Sequence, residues 1–138
     1  MLDRLFAPVA DVGELVLRLG LGIIFIGHGW SKLQNPGAFA GLLRQLRVPA
    51  PTFFAWLVAL LETVGAALII LGVATRLMAL GLAIDMLVAL VSVRIGKAPF
   101  LSGPHGSGWD FELLLLVSAL ALVFTGAGRF ALDPQLGL

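Results

Sequence analysis

The stretch Phe53–Val73, FFAWLVALLETVGAALIILGV, contains a single charged residue, Glu62, in a run that is otherwise almost entirely apolar. A helix needs about 20 predominantly apolar residues to cross the hydrocarbon core of a bilayer. Backbone polar groups in lipid must be satisfied within the protein, which favours a helix, and the alternating pattern of a barrel strand is missing. The stretch therefore predicts a membrane-spanning helix.

Three other windows have the same apolar character, namely Val12–Ser31, Arg76–Ile95 and Asp110–Ala127. The segments between them are too short to form a second domain. We therefore predict an all-α, polytopic integral membrane protein. Its architecture is a four-transmembrane-helix bundle, and a single membrane domain comprises residues 1–138.

The composition of the whole chain supports this fold class. Hydrophobic residues make up 59% and charged residues 12% of the chain, whereas an ordinary soluble domain has about 25% charged residues. This balance argues against a water-soluble enzyme. The net charge of +1 and the scattered basic residues argue against nucleic-acid binding. The chain has no cysteine, so thiol catalysis, disulfides and thiolate metal sites are excluded, and no metal site is predicted.

The first loop, between spans one and two, contains a predicted short amphipathic helix. Asn35 followed by Pro36 is typical of an N-cap and a first helical position, and Pro49 with Pro51 ends the helix. Between Pro36 and Pro49, apolar residues recur at helical spacing, with arginines on other faces of the helix. Two placements stay open for this helix: in the membrane interface, or packed across the mouth of the bundle.

An even number of spans places both termini on one side, here called side A, and the first and third loops on side B. Basic residues are more frequent on side B, which favours side B as cytoplasmic. The side B residues are Lys32, Arg44, Arg47, Arg94 and Lys97, and those of side A are Arg4, Arg76 and Arg129.

Small residues recur along one face of each span. In the first span, Gly13, Gly20 and Gly27 form one stripe of seven-residue spacing, and Gly22 and Gly29 form another. Helices in lipid associate through close packing of such residues. We therefore predict a tightly packed bundle.

Ionisable residues inside the predicted spans are the candidate site, because charge is costly in lipid and commonly marks function there. We predict that His28, Glu62 and Glu112 handle protons in one polar pocket that opens to side B. Other candidates for ligand binding are Arg18, Trp30, Lys32, Asp85 and Trp109, with His105 above the pocket. Arg18 is expected to pair with Asp85 or Glu14.

Structural roles are open alternatives for each of these residues. Glu62 and Asp85 are also consistent with acids that bond to a neighbouring helix, and Arg18 with a side chain that reaches toward side A. Glu112 is suited to the start of a helix, where the helix dipole favours an acid. Tryptophans at span ends are typical of the aromatic belt of membrane proteins.

Several ordered groups of residues resemble the DoxX family. They are Arg18-Leu19-Gly20, Phe25, Gly27-His28-Gly29 and Lys32-Leu33 in the first span; Leu46 to Pro51, Glu62, Gly65 and Leu71-Gly72-Val73-Ala74-Thr75-Arg76 around the second; and Glu112, Gly126, Gly128 and Asp133 around the last. The resemblance implies a bacterial inner-membrane protein with four helices. The family takes its name from a subunit of a thiosulfate:quinone oxidoreductase, but family membership alone does not establish an activity.

Three functions are consistent with these observations. The first is a redox-linked membrane subunit that binds a quinone or another apolar small molecule between its helices, within a redox complex of protein partners. The second is a non-catalytic scaffold or assembly factor that docks partner proteins, and the third is a small proton-coupled transporter, for which four spans suggest a homo-oligomer. No autonomous catalytic motif is recognisable in the sequence.

Overall fold

The computed structural model describes residues 9–104 and 106–137, and all of the regular elements within these residues are helices. They are α1 (Ala10–Gln34), α2 (Pro36–Gln45), α3 (Pro51–Leu71), α4 (Thr75–Arg94), α5 (Asp110–Thr125) and α6 (Asp133–Leu136). The predicted all-α fold class is therefore confirmed.

Three of these helices are long and apolar enough to cross a membrane, namely α1, α3 and α4. Helix α5, which coincides with the fourth predicted span, has 16 residues. At a rise of 1.5 Å per residue it is about 24 Å long, shorter than a hydrocarbon core of about 30 Å. It packs along α4 and also contacts α1.

Two turns of π-helix interrupt the regular α-helical hydrogen bonding. One turn, Leu61–Gly65, lies in the middle of α3, and the other, Leu90–Arg94, ends α4. Such turns are rare in proteins, but those that occur are frequently found at functional sites. The first contains Glu62 and the second contains Arg94, and both side chains line the cavity described below.

Close packing of α1 on α3 depends on one of the two predicted glycine stripes. A Cβ atom on Gly29 would lie 2.8 Å from the Glu62 Cβ atom, and one on Gly22 would lie 2.8 Å from the Ile70 Cδ1 atom. By contrast, a Cβ atom on Gly13, Gly20 or Gly27 would have no neighbour within 4 Å among residues 9–104 and 106–137. The stripe of Gly13, Gly20 and Gly27 therefore faces away from the other described residues.

Apolar side chains occupy both the interior and the outer surface of the helices. Phe25, Leu82 and Leu122 are fully buried in the core. Ile23, Leu77 and other large apolar side chains point outward from the same helices and are exposed. An apolar exterior of this extent is what lipid requires and what water disfavours.

Helix α2 is present where it was predicted and packs against α3 at the side B end of the bundle. The Asn35 side chain accepts a hydrogen bond from the Ala38 N–H group at 3.1 Å, which confirms the predicted N-cap. Its apolar side faces the bundle, since Ala40 is buried, whereas Arg44 is exposed. The helix therefore lies across the side B mouth with its basic residues outward.

Candidate functional site: a charged cavity at side B

A cavity of about 250 Å³ lies between the helices near side B, beneath α2. It is lined by apolar and charged side chains: Phe25, His28, Lys32, Phe39, Leu42, Glu62, Met86, Ala89, Val93, Arg94, Phe111, Glu112 and Leu115. Four of the residues predicted from sequence therefore meet around one space, namely His28, Lys32, Glu62 and Glu112.

Helical geometry brings Lys32 and Glu62 together. Lys32 lies one turn after His28 on α1, so both side chains lie on the same helix face. The Lys32 Nζ atom is 2.6 Å from Glu62 Oε2, and the Glu62 side chain is only 1% exposed. The same Nζ atom lies 4.8 Å from the centre of the ring of Phe39 on α2, a distance at which an ammonium group and an aromatic ring attract each other.

A second ion pair, between Arg94 and Glu112, also lines the cavity. The Arg94 Nε atom is 2.7 Å from Glu112 Oε1, and its Nη1 atom donates to the Ser107 hydroxyl group at 3.2 Å. The other oxygen of Glu112, Oε2, is buried without a hydrogen-bond partner among the described residues. In the sequence, Arg94 was recognisable only as a charge at the end of a span. The signal for this ion pair was that Arg94 and Glu112 lie at the ends of their predicted spans on the same side.

Asp85 is not among the residues that line the cavity. It lies on α4, which packs against the π-helical turn that contains Glu62. The Asp85 Oδ2 atom is buried and has no donor among the described residues.

Arg18 is fully buried, but it lies near side A and does not belong to this site. Its guanidinium group donates to the carbonyl oxygens of Ile69 at 3.4 Å, of Ile70 at 3.3 Å and of Phe130. The predicted ion pair with Asp85 or Glu14 is not formed within the described residues, because the guanidinium group is directed at the exposed carbonyl end of α3.

Asp133, which the sequence analysis noted only as part of the family resemblance, completes the same side A region. Its carboxylate accepts hydrogen bonds from the Ala74 N–H group at 2.6 Å and the Thr75 N–H group at 3.0 Å. These N–H groups at the start of α4 have no partner within the helix itself, and an acid is favoured there by the helix dipole. Arg18 and Asp133 thus both fix the turn between α3 and α4.

The two predicted tryptophans do not line the cavity. Trp30 is 58% exposed on the outer surface, because two residues after His28 a helix presents nearly its opposite face. Trp109 packs on Phe100, with 4.5 Å between ring centres.

His28 itself is exposed and lies beside Phe111, with 5.9 Å between ring centres. His105 lies outside the described residues. Across residues 9–104 and 106–137, no group of three acids or histidines is arranged to hold a metal ion.

These features define a helical integral membrane protein with a charged cavity between its helices at one end of the helix bundle. The chain belongs to the DoxX family, whose model matches residues 13–95. The match covers α1 from residue 13 and all of α2, α3 and α4, so the cavity residues of α5 lie beyond it.

Individual relatives are similar over most of their length. "Putative oxidoreductase CatD" of Bacillus subtilis (strain 168) is 34% identical over 124 residues, which cover 90% of this chain and 87% of the relative. "Uncharacterized membrane protein Rv3486" of Mycobacterium tuberculosis (strain ATCC 25618 / H37Rv) is 32% identical, covering 96% and 86%. "Inner membrane protein YqjF" of Escherichia coli (strain K12) is 31% identical, covering 91% and 93%. No solved structure matches the chain.

Proposed function

We propose that this protein is a redox-linked membrane subunit that binds a quinone, or another apolar small molecule, in the side B cavity. The observation that carries the proposal is the cavity lining. Phe25, Met86 and Phe111 supply apolar and aromatic walls, and two ion pairs supply fixed polar groups. Small-molecule sites are typically mostly apolar, with a few convergent polar groups. The name of the Bacillus relative also favours redox chemistry.

The volume of the cavity limits what can enter. At about 250 Å³ it is slightly smaller than the common range of roughly 300–1,000 Å³ for ligand pockets. It therefore suits one ring-sized head group, whose apolar tail would remain among the lipid-facing side chains.

The charged groups match the chemistry of a quinone. Reduction of a quinone to a hydroquinone consumes two electrons and two protons. Lys32 and Arg94 are donors for a carbonyl oxygen, and Glu62, Glu112 and His28 exchange protons with the ring oxygens. The electrons come from a partner protein, since the chain has no cysteine with which to carry them as thiols.

Binding of decylubiquinone to the protein in lipid nanodiscs tests the proposal. We expect saturable binding that Ala89→Phe weakens at least tenfold, because Ala89 lines the cavity. Val88→Phe is the matched control, since Val88 is the neighbouring residue on α4 and is exposed on the outer surface. Equal binding by the two variants, or no saturable binding by the unmodified protein, would refute the quinone site.

We also propose that α5 is a fourth span and that the protein resides in a bacterial inner membrane, with side B facing the cytoplasm. Two observations support the span: exposed apolar residues such as Leu114 and Phe124, and the packing of α5 along α4. The name of the Escherichia coli relative supports the location.

Docking of a partner protein is the second candidate function. It is favoured by the outward-facing glycine stripe of Gly13, Gly20 and Gly27, where the backbone of α1 is open to close approach by another helix. Crosslinking in native membranes should then capture a partner that Gly20→Leu releases and Glu62→Gln retains. If the Gly20→Leu variant captures the partner as well as the unmodified protein does, the glycine stripe is not the docking surface.

A further inference from the structure

We propose that a second cavity, at the side A end of the bundle, binds a phospholipid whose head group carries both a phosphate and a primary ammonium group, as in phosphatidylethanolamine. Arg76 binds the phosphate group and Asp133 binds the ammonium group. This inference goes beyond the proposed function, because the second cavity shares no lining residue with the side B cavity.

The second cavity lies between the start of α4 and the end of α5 and has a volume of about 370 Å³. This volume is within the common range of roughly 300–1,000 Å³ for ligand pockets. The lining residues are Ala74, Thr75, Arg76, Leu77, Thr125, Gly126, Ala127, Gly128, Asp133 and Pro134. One guanidinium group and one carboxylate group therefore border the same space.

The Arg76 guanidinium group is held in place by the end of α5. Its Nη1 atom donates to the carbonyl oxygens of Val123 at 2.9 Å and of Phe124 at 3.2 Å. The remaining edge, formed by Nε and Nη2, has two parallel N–H groups of the kind that bind two oxygens of a phosphate. A Cβ atom on Gly126 would lie 3.1 Å from Nη2 and 3.2 Å from Nε, so the glycine keeps a side chain away from this edge.

Asp133 supplies the opposite charge and does not pair with Arg76. In the part of the chain that the structure describes, no ion pair joins Asp133 to Arg76 or to Arg18. Each oxygen of the Asp133 carboxylate accepts one N–H group, from Ala74 or Thr75. A carboxylate has about four lone-pair sites, so it can accept further donors from a ligand. Two opposite charges that border one cavity without pairing are complementary to a ligand that carries both charges.

A buried hydroxyl group without a partner also lies at this site. Thr75 is fully buried, and its Oγ1 atom has no hydrogen-bond partner among the described residues. Buried polar groups are normally paired. Because Thr75 lines the cavity, an oxygen atom of the bound phosphate group supplies the missing acceptor.

Exposed apolar side chains beside the cavity favour a lipid over a soluble zwitterion. Leu77 lines the cavity and is 64% exposed, and Phe124, whose carbonyl group binds Arg76, is 76% exposed. The cavity also lies at the start of α4, which is long and apolar enough to cross a membrane. Lipid head groups lie at the ends of such helices. The acyl chains of the bound lipid would then extend over Leu77 and Phe124.

Native mass spectrometry of the purified protein, released from detergent micelles that contain added lipids, tests the proposal. The lipids are phosphatidylethanolamine, phosphatidylglycerol and phosphatidylcholine in equal amounts and with the same acyl chains. We expect one molecule of phosphatidylethanolamine to be retained about tenfold more strongly than either of the others, which corresponds to one hydrogen bond between charged groups. Phosphatidylglycerol has no ammonium group, and the trimethylated ammonium group of phosphatidylcholine has no N–H group to donate to Asp133.

Substitution of Arg76 tests where the lipid binds. Arg76→Gln should weaken retention of phosphatidylethanolamine about tenfold, because glutamine has neither the charge nor the two parallel N–H groups of arginine. Arg129→Gln is the matched control and should retain the lipid, since Arg129 is an exposed arginine on the same side that does not line the cavity.

Three results would overturn the proposal. The first is equal retention of the three lipids by the unmodified protein, a comparison that no folding defect can obscure. The second is displacement of phosphatidylethanolamine by an equal amount of O-phosphoethanolamine, its soluble head group, because the apolar side chains would then contribute nothing. The third is an equal effect of Arg76→Gln and Arg129→Gln. None of these results depends on decylubiquinone, so failure of the lipid site and failure of the quinone site are separate outcomes.

Discussion

Arg18 illustrates how a single buried charge can be structural in a membrane protein. It lies at 0% exposure and is bonded to main-chain carbonyl groups rather than to an acid. The last carbonyl groups of a helix have no partners in the helix itself, and a cation there also interacts favourably with the helix dipole. Arg18 thus replaces the water that would satisfy these groups in a soluble protein.

Replacing Arg18 by leucine should destabilise the protein by about 2 kcal/mol or more. The carbonyl groups of Ile70 and Phe130 would lose their donor, and each buried unsatisfied group costs about 1–3 kcal/mol. Thermal unfolding in detergent, followed by size-exclusion chromatography, measures the effect. Arg129→Leu removes an exposed arginine on the same side and should change little. Equal stability of both variants would contradict this role.

At the scale of the helix, the two glycine stripes of α1 have different environments. Gly29 lies against Glu62 on α3, whereas Gly27, two residues earlier, faces outward. The position of Glu62 in the cavity wall therefore depends on how closely α1 approaches α3. A side chain at position 29 would separate the two helices, and one at position 27 would meet only what lies outside the bundle.

Gly29→Leu should weaken both folding and the candidate site, whereas Gly27→Leu should leave the isolated protein intact. Overpacking of a filled interface typically costs about 1–3 kcal/mol. We expect a lower unfolding temperature for Gly29→Leu together with weaker decylubiquinone binding. The pair of variants shares one helix and one substitution, so indistinguishable behaviour would show that the stripe at Gly22 and Gly29 does not control the packing.

Helix positions were largely predictable from the sequence, and their interactions were predictable only in part. Long apolar runs located α1, α3 and α4, and Asn35-Pro36 located the start of α2. The π-helical turn at Glu62 was not predictable. The periodicity of apolar residues does not show whether an N–H group bonds to the carbonyl group four or five residues earlier. The orientation of Gly27 and the pairing of Arg94 with Glu112 depend on how helices rotate against each other, and a single sequence leaves this open.

For the whole molecule, the number of spans determines which surfaces share a compartment. Helices α1, α3 and α4 are each able to cross a membrane. If α5 crosses as well, residues on either side of it lie in different compartments. Ser107 precedes α5 and Arg129 follows it, and both are exposed.

Labelling of single introduced cysteines tests this topology cleanly, because the chain has no cysteine of its own. With a membrane-impermeant maleimide added to intact cells, we expect Arg129→Cys to react and Ser107→Cys to react only after the membrane is opened. Reaction of both residues from the same side would show that α5 does not span. Reaction of Ser107→Cys alone in intact cells would reverse the proposed orientation.

The turn between α3 and α4 is bound to distant parts of the chain. At side A, Arg18 and Asp133 bind main-chain groups of residues 70–75 and of Phe130, two segments that are far apart in the chain. These contacts link α1, the turn and the segment after α5. Removal of residues 130–137 should therefore also destabilise a turn that lies more than 50 residues earlier.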